Sequence, residues 1–226
     1  MINIKKNELS NNLITHLLPN STTAEAYRTL RTNIKYASID KKYKSIIITS
    51  PEMQEGKTVT ACNLAISFAN ADNKVLLIDA DLRKPNVHNQ FGISNVKGLT
   101  NILLDKCSYD EVLFEVEDIP NLNIITSGTI PPNPSEIMAS NKFKELINYF
   151  SENFDIVLID TPPICYVSDG LILAGFVDGV IITVSAKETN VSKTQSTVKA
   201  LNKVDAKILG VVMTKVKYKN KEYYYY

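Results

Sequence analysis

The chain has 226 residues, of which 44% are hydrophobic and 22% are charged, and its formal net charge is +1 at neutral pH. These totals are typical of one globular domain that buries its core without the help of disulfides. The near-neutral charge gives no indication of a nucleic-acid partner, and we expect none. No stretch approaches the roughly 18 consecutive apolar residues of a membrane-spanning helix, so we expect any membrane connection to depend on a partner protein.

The three cysteines, Cys62, Cys107 and Cys165, lie far apart and form no C-x-x-C pair. This usage fits a protein of the reducing cytoplasm, and we expect all three to be small buried hydrophobic residues. The start of the chain, "MINIKKNELSNNLITHLL", has neither the long apolar core nor the small-residue cleavage site of a signal peptide.

The first predicted element is a leading helix at Ser21–Ala37, which Ser21, Thr22 or Thr23 can cap. Beyond it, short apolar runs alternate with helical patterns. Near-continuous apolarity predicts strands that are covered on both faces, and the alternation predicts a mostly parallel sheet with helices on both sides. The predicted strands are Ser45–Ser50, Val75–Ala80, Leu122–Thr126, Asp155–Asp160, Gly179–Ser185 and Ile208–Thr214, and the predicted helices are Thr58–Ala71, Ser135–Phe150 and Val191–Val204.

Two segments outside these elements have a distinct composition. The stretch "SGTIPPNPSE" (Ser127–Glu136) predicts a proline-rich loop, with Ser135 placed to cap the next helix. After Thr214 the sequence "KVKYKNKEYYYY" predicts a flexible, basic, tyrosine-rich C-terminal tail. We therefore divide the chain into an N-terminal extension (1–20), one domain (21–215, with its leading helix at 21–38) and the tail (216–226).

The segment "SPEMQEGKTVT" (50–60) ends like a phosphate-binding loop. It supplies the last three residues of the G-x-x-x-x-G-K-[ST] pattern, between a predicted strand and a predicted helix. In that position backbone N–H groups and the helix dipole hold phosphate, the lysine reaches the β- and γ-phosphates, and the hydroxyl ligates Mg²⁺. The predicted phosphate-binding residues are Gln54, Glu55, Gly56, Lys57, Thr58 and Val59.

The first half of this loop departs from the pattern. Pro51 stands where the first glycine belongs, and Met53 and Gln54 replace residues that are usually small. A positive φ at Gln54 would cost about 1–2 kcal/mol. The sequence therefore predicts a nucleotide site with an atypical loop, weaker or slower than usual, with an inactive site as the alternative.

Carboxylates follow two of the predicted strands. "VLLIDAD" ends in Asp79 and Asp81, and "IVLID" ends in Asp160. Open α/β sheets bind their ligands at the carboxyl ends of the strands. A single strand-end aspartate is usually a turn residue, but three of them beside a G-K-T tripeptide indicate a nucleotide and magnesium site.

These motifs together resemble the bacterial tyrosine kinases (BY-kinases) over nearly the whole chain, from about residue 24 onward. "VLLIDADLRKP" (Val75–Pro85) resembles their Walker A′ motif, and "IVLIDTPP" (Ile156–Pro163) resembles their Walker B motif. "EAYRTLRTNI" matches their E-x-x-R-x-x-R oligomerisation motif through Glu25, Arg28 and Arg31. The proline-rich loop and the tyrosine tail also match. The chain is most similar to the Firmicute type, in which the kinase is separate from a transmembrane activator.

The resemblance implies a P-loop NTPase fold that uses ATP and Mg²⁺. It implies that Lys57, Asp79 and Asp81 are catalytic, with Asp79 suggested as the base that takes the tyrosine proton. Thr58, Asp81 and Asp160 would then hold Mg²⁺ or its waters. Which of Asp79 and Asp81 is the base stays open. Arg83 and Lys84 follow closely, and they can face phosphate, pair with carboxylates or lie in solvent.

The resemblance also implies acceptors and partners. The implied phosphorylation sites are Tyr218, Tyr223, Tyr224, Tyr225 and Tyr226, modified in trans within a homo-oligomeric ring, besides tyrosines of other proteins. The activator would be a transmembrane protein of the polysaccharide co-polymerase type. The kinase would then be cytoplasmic, peripheral at the inner face of the membrane, and would regulate capsule or exopolysaccharide synthesis.

Two alternatives remain within the same superfamily. One is a nucleotide-switched ATPase of the partitioning type, whose loop carries a signature lysine five residues before the invariant one. Here that position is Glu52, and such proteins lack a tyrosine tail. The other is a catalytically weak scaffold, which Met53 and Gln54 suggest.

Overall fold

In a computed structural model, residues 2–4, 9–37 and 42–217 are described, the first three by their backbone alone. An eight-stranded sheet has the order β1-β4-β5-β3-β6-β2-β7-β8, and every neighbouring pair is parallel except β4 and β5. The predicted mostly parallel sheet is therefore confirmed. The strands are β1 (Ile2–Ile4), β2 (Ser45–Thr49), β3 (Val75–Asp79), β4 (Leu113–Val116), β5 (Leu122–Ile125), β6 (Ile156–Asp160), β7 (Gly179–Ser185) and β8 (Ile208–Thr214).

Helices cover both faces of the sheet, as predicted. Alternate residues of β2 divide between two apolar cores: Ile46 and Ile48 pack in one with α3, and Ile47 packs in the other with α7 and α8. In the part of the chain that is described, the helices are α1 (Ile14–Leu17), α2 (Thr22–Ala37), α3 (Lys57–Ala69), α4 (Val87–Phe91), α5 (Leu99–Leu103), α6 (Pro134–Met138), α7 (Asn141–Asn153), α8 (Asp169–Ala174) and α9 (Val191–Asn202). No helix within the described ranges is both long and apolar enough to cross a bilayer.

The central strands appear where the apolar runs predict them, because β2, β3, β6 and β7 are buried along their whole length. Sequence analysis missed the short strands β1 and β4 at one edge of the sheet. The β4 strand alternates between half-buried and buried residues, and four residues of such a pattern are too few to predict a strand. The central order β3-β6-β2 brings the carboxyl ends of three strands together.

The predicted single helix at Ser135–Phe150 is wrong. The structure divides it into α6 and α7, and Ser140 caps α7 by accepting a hydrogen bond from the Phe143 backbone N–H. Ser135 is therefore not the cap that we expected. It lies in the first turn of α6, where its Oγ hydrogen-bonds Asp169 at 2.6 Å.

The leading helix is confirmed as α2, and the Ser21 hydroxyl accepts a hydrogen bond from the Ala24 N–H at 3.1 Å. The segment before it is also packed. Leu13 is fully buried, and the Thr15 N–H donates to Asn63 Oδ1 of α3 at 2.9 Å. The proposed boundary at residue 20 thus separates segments that share one core, and the end of the predicted helix at residue 38 lies outside the described residues.

Candidate active site

The loop between β2 and α3 adopts the strained backbone that its sequence suggests. Gln54 has φ 61° and Gly56 has φ 79°. This left-handed backbone conformation costs about 1–2 kcal/mol more for Gln54 than it would for a glycine. Gly56 is also restricted from outside, because a Cβ there would lie 3.2 Å from Thr214 Cγ2. The helix α3 begins directly after Gly56, so its free N–H groups point toward the end of the sheet.

Lys57 opens α3 and reaches between two strand-end carboxylates. Its Nζ lies 2.8 Å from Asp81 Oδ2 and 3.7 Å from Asp160 Oδ1. Burial disfavours the charged ammonium, but the carboxylates of Asp160 and Asp81 outweigh burial and raise the pKa of Lys57. The lysine is therefore cationic at neutral pH and is held at the point where a phosphate would be bound.

Asp160 and Thr58 meet on the other side of Lys57. Thr58 Oγ1 donates to Asp160 Oδ2 at 2.5 Å, and the Asp160 carboxylate has no exposed surface. Burial raises the pKa of Asp160 to about 6, although Lys57 and Thr58 favour its ionised form. A hydroxyl that donates to a carboxylate keeps its lone pairs free to bind a cation.

Asp79 and Asp81 have different environments although they are two residues apart. Asp79 is fully buried, and its Oδ2 accepts the N–H groups of Asn86 and Val87 at 3.0 and 2.9 Å. Burial, with the Asp160 carboxylate, raises the pKa of Asp79 to about 7. Asp81 instead pairs with Lys57 and accepts the Lys84 N–H at 2.9 Å.

A cavity of about 660 Å³ opens above these groups, a volume that suits a small-molecule ligand. Arg83, Lys84 and Lys215 add cationic side chains to its wall, which also includes Tyr166 and Val167. Of the predicted site residues, the structure brings to its wall Gln54, Gly56, Lys57, Thr58, Val59 and Asp81; it does not bring Glu55, Asp79 and Asp160 there.

The site fits Mg²⁺ only in company with a phosphate ligand. Within the described ranges, no three His, Cys, Asp or Glu side chains are arranged to hold a metal ion alone. The buried Asp160 Oδ1, however, accepts no hydrogen bond. Mg²⁺ keeps several waters and binds one or two protein oxygens together with substrate phosphates. The Thr58 hydroxyl, together with Asp160 and Asp81, would supply oxygen atoms of the kind that Mg²⁺ requires.

The structure reveals polar contacts that sequence analysis missed. Arg83 donates to the buried Asp169 at 2.9 Å, and Ser135 bonds to both, so the pairing of Arg83 that the sequence left open is with a carboxylate. Glu52 accepts hydrogen bonds from Lys193 and from the Tyr166 hydroxyl. These partners are 114 residues or more distant from Glu52 in the chain, and no local motif signals such pairs.

The predicted oligomerisation residues lie away from this site, on α2. Arg28 pairs with Glu25 at 2.6 Å and donates to the Pro19 carbonyl at 2.9 Å. Arg31 donates to the Ser67 carbonyl at 2.5 Å, near the end of α3. Tyr218 and Tyr223 to Tyr226 lie outside the described residues.

The expectation about the cysteines is right in one case. Cys62 is buried, and burial raises the pKa of its thiol well above the ordinary range. Cys107 is half-buried, and Cys165 is exposed, so the prediction that all three are buried is wrong. In the chain, Cys165 lies between the cavity-lining residues Pro163 and Tyr166.

Comparisons with known proteins show similarity along nearly the whole chain. A family model described as an AAA domain matches residues 44–212. The chain is 43% identical to the tyrosine-protein kinase YwqD of Bacillus subtilis over 96% of this chain and 92% of that protein. It is 37% identical to the putative tyrosine-protein kinase CapB of Staphylococcus aureus over 98% of this chain and 97% of that protein. Among solved structures, the chimerical protein CapA2B2 superposes with a TM-score of 0.86 at 36% identity, covering 93% of this chain and 91% of that one.

Proposed function

The chain belongs to the family of bacterial tyrosine-protein kinases, and we propose that it transfers the γ-phosphate of ATP to protein tyrosines, including those of its own tail. The predicted P-loop NTPase fold is confirmed. The observation that carries the proposal is the position of Lys57, at the start of α3, between the carboxylates of Asp81 and Asp160.

The proposed phosphate site combines the loop with the beginning of α3. Backbone N–H groups from Gln54 to Val59 would surround the phosphates, and Lys57 would exchange part of its contact with Asp81 for the γ-phosphate. The buried carboxylates keep the ammonium charged and in place before ATP arrives, so little reorganisation accompanies the transfer.

The proposed metal site consists of Thr58, Asp81 and Asp160. When bound, Mg²⁺ supplies charge neutralisation for the transferred phosphoryl group. The Thr58 hydroxyl is oriented for this task by its hydrogen bond to Asp160. Asp160 in turn is fixed by burial at the end of β6.

Asp79 and Asp81 compete for the role of base. A tyrosine hydroxyl has an ordinary pKa near 10, and a base whose pKa lies near 7 is best suited to accept its proton. Asp79 has such a pKa, of about 7, but Asp81 lines the cavity. Asp79→Asn and Asp81→Asn, compared by the pH dependence of kcat, decide between them: the variant of the base loses the acidic limb of the profile.

The proposed acceptors are Tyr218 and Tyr223 to Tyr226. Each phosphate would add about −1.5 to −2 charge at neutral pH. The tail also holds Lys219 and Lys221, so several phosphates would change it from basic to strongly acidic. We propose that this change releases the tail from an acidic site and dissociates a ring of subunits.

The proposed ring would use α2, through Glu25, Arg28 and Arg31. We also propose a transmembrane activator, which would place the kinase at the inner face of the membrane in the control of capsule or exopolysaccharide synthesis. Support for this role comes from the family and from the similarity to CapB and CapA2B2.

The test is incubation of the purified full chain with ATP and Mg²⁺, followed by mass-spectrometric mapping of phosphotyrosine. The control is Lys57→Met, which keeps much of the side-chain length and removes the charge. We expect phosphate on the tail tyrosines of the wild type and none on the variant. Both proteins should also be tested with the cytoplasmic segment of a cognate activator.

Other outcomes favour the alternatives. ATP hydrolysis without phosphotyrosine would support a nucleotide-switched ATPase. Nucleotide binding without hydrolysis or phosphotyrosine would support a scaffold, and Met53 and Gln54 would be the first residues to replace with those of a standard loop.

A further inference from the structure

We propose that Glu55 and Thr189 are positioning residues that hold the phosphate loop in its binding conformation through a partly buried side-chain tether. The tether joins the loop to the segment between β7 and α9, which no sequence motif connects with nucleotide. This inference rests on the proposed function, because it concerns how the same loop binds ATP.

The Glu55 side chain points into the protein. The residue is 2% exposed and does not line the cavity, although both of its neighbours do. Its Oε2 accepts the Glu52 N–H at 3.0 Å, and its Oε1 accepts the Thr189 hydroxyl. One carboxylate oxygen of Glu55 therefore bonds within the loop, and the other bonds to Thr189 in the segment between β7 and α9.

Thr189 is in turn fixed at its own position. Its Oγ1 accepts the Ser185 N–H at 2.7 Å, at the last residue of β7. On the other side of the loop, the Thr214 hydroxyl donates to the Glu55 carbonyl at 2.9 Å. Glu55 is thus attached to the ends of both β7 and β8, two strands of the rigid sheet.

The tether counteracts two features of this loop that would otherwise weaken phosphate binding. Gln54 has φ 61°, a conformation that a non-glycine residue leaves unless its surroundings hold it. A free carboxylate beside a triphosphate would also repel the ligand. The Glu52 N–H and the Thr189 hydroxyl hold the Glu55 carboxylate away from the cavity. The backbone N–H groups from Gln54 to Val59 stay available for phosphate.

A second contact of the loop is weaker. Glu52 pairs with Lys193 of α9, but the Lys193 side chain is 47% exposed. Exposed pairs contribute little to stability, since water screens them. The Glu55–Thr189 hydrogen bond is partly buried, and loss of the Thr189 hydroxyl leaves a carboxylate oxygen of the buried Glu55 without that donor. Of the two carboxylate side chains of the loop, Glu55 therefore contributes more to the loop conformation than Glu52 does.

The experiment measures ATP binding by isothermal titration calorimetry with Mg²⁺ and a non-hydrolysable ATP analogue, and tail phosphorylation at saturating ATP. The variants are Thr189→Val, Thr189→Ser and Glu55→Gln, and the matched control is Thr194→Val in α9. Thr189 lies half-buried in a surface loop, so its variants should fold. We expect about 10-fold weaker binding for Thr189→Val, equivalent to about 1.4 kcal/mol, with a much smaller change in the rate at saturation.

Two further results are expected. Thr189→Ser keeps the hydroxyl and should bind nearly as the wild type does. Glu55→Gln has one acceptor oxygen in place of two, so it cannot keep the hydrogen bonds from both the Glu52 N–H and Thr189. In the double variant with Thr189→Val, the loss of binding free energy should be smaller than the sum of the two single losses, because both changes act on one contact.

The outcomes separate the tether from the proposed function. If the wild type binds the analogue and Thr189→Val binds it equally well, the tether is wrong and the kinase proposal stands. If Thr189→Val and Thr194→Val weaken binding alike, the effect is not specific and the tether is also wrong. A wild-type protein that binds no nucleotide overturns both.

Discussion

The ends of the central strands and the surface of α2 both carry paired charges, but burial gives the two regions different properties. At the strand ends, Asp79 and Asp160 are fully buried, and the Lys57 side chain is 11% exposed. On α2, the side chains of Arg28 and Glu25 are 36% and 65% exposed. The same pairing of a cation with a carboxylate occurs in both places, in surroundings of very different polarity.

The difference shows what each region is suited to do. Buried charges interact strongly and shift one another's pKa values, so the strand ends are prepared for chemistry at the expense of stability. Exposed pairs contribute about 0–1 kcal/mol each and can change partners at low cost. The surface of α2 is therefore suited to contacts that form and break.

Replacement of Asp160 should have the largest effect on activity. Asp160→Asn removes the carboxylate that orients Thr58 and faces Lys57. We expect a loss of kcat of about 10²–10³-fold, as for the removal of other preorganised electrostatic groups. The measurement is the rate of tail phosphorylation as a function of Mg²⁺ concentration.

Asp155→Asn is a matched control for this prediction. Asp155 immediately precedes the same strand at its opposite end, is exposed, and accepts the Lys74 N–H at 2.8 Å. It should keep nearly full activity. Equal activity of the two variants would show that Asp160 takes no part in catalysis.

The raised pKa values of Asp79 and Asp160 predict how stability depends on pH. Burial holds these values at about 7 and about 6, above the ordinary value of 3.8. Between roughly pH 4 and pH 7 these two groups therefore bind more protons in the folded state than in the unfolded state, and they lower the free energy of unfolding as pH rises. For Asp79→Asn, which does not titrate, the decline in Tm across that window should be smaller than for the wild type.

Thermal unfolding of the nucleotide-free proteins at several pH values measures the difference. Comparison with the wild type is essential, because carboxylates with lowered pKa, such as Glu52 and Glu111, act in the opposite direction. Parallel curves for the wild type and Asp79→Asn would mean that Asp79 titrates normally in the folded protein.

How well the sequence predicts a contact depends on how far apart its residues lie in the chain. Gly56, Lys57, Thr58 and the strand-end aspartates follow local patterns, and strand order brings them together. The tether between Glu55 and Thr189 has no local pattern, since its partners are 134 residues apart. The sequence did not predict the end of α6 and the start of α7 at Ser140, because apolar residues recur with helical spacing on both sides of this cap. Local chemistry is therefore predictable from the sequence, whereas long-range polar pairing requires the fold.

The Arg83–Asp169 pair lies between the two regions in exposure, and we expect an intermediate effect. Asp169 is fully buried, but the Arg83 side chain is 39% exposed and can move into water when its partner is lost. Asp169→Asn should lower stability by about 1–2 kcal/mol, which corresponds to a few degrees in Tm for a domain of this size.

Activity should fall by less than for Asp160→Asn, because Arg83 stays at the cavity wall but loses its fixed orientation. Asp105→Asn, which removes an exposed pair with Lys142, is the control and should leave Tm unchanged. A destabilisation by Asp105→Asn as large as that by Asp169→Asn would contradict the importance of burial.

The smallest effect on stability should come from α2. Arg28→Ala removes one exposed pair and one bond to the Pro19 carbonyl, and should change the free energy of unfolding of the monomer by less than about 1 kcal/mol. Arg31→Ala should cost somewhat more, because its contact with the Ser67 carbonyl is partly buried. Lys35→Ala on the same helix is the control for loss of a cation.

If α2 joins subunits as we propose, the oligomer should respond far more than the monomer does. Arg28→Ala should shift the protein from a ring to smaller species in light scattering at a concentration where Lys35→Ala does not. The pairing with Glu25 is weak enough to be exchanged for a contact with another subunit, which a buried pair would resist. An unchanged oligomer for both arginine variants would mean that α2 serves only its own fold, and that its exposed charges are no more than a solvated surface.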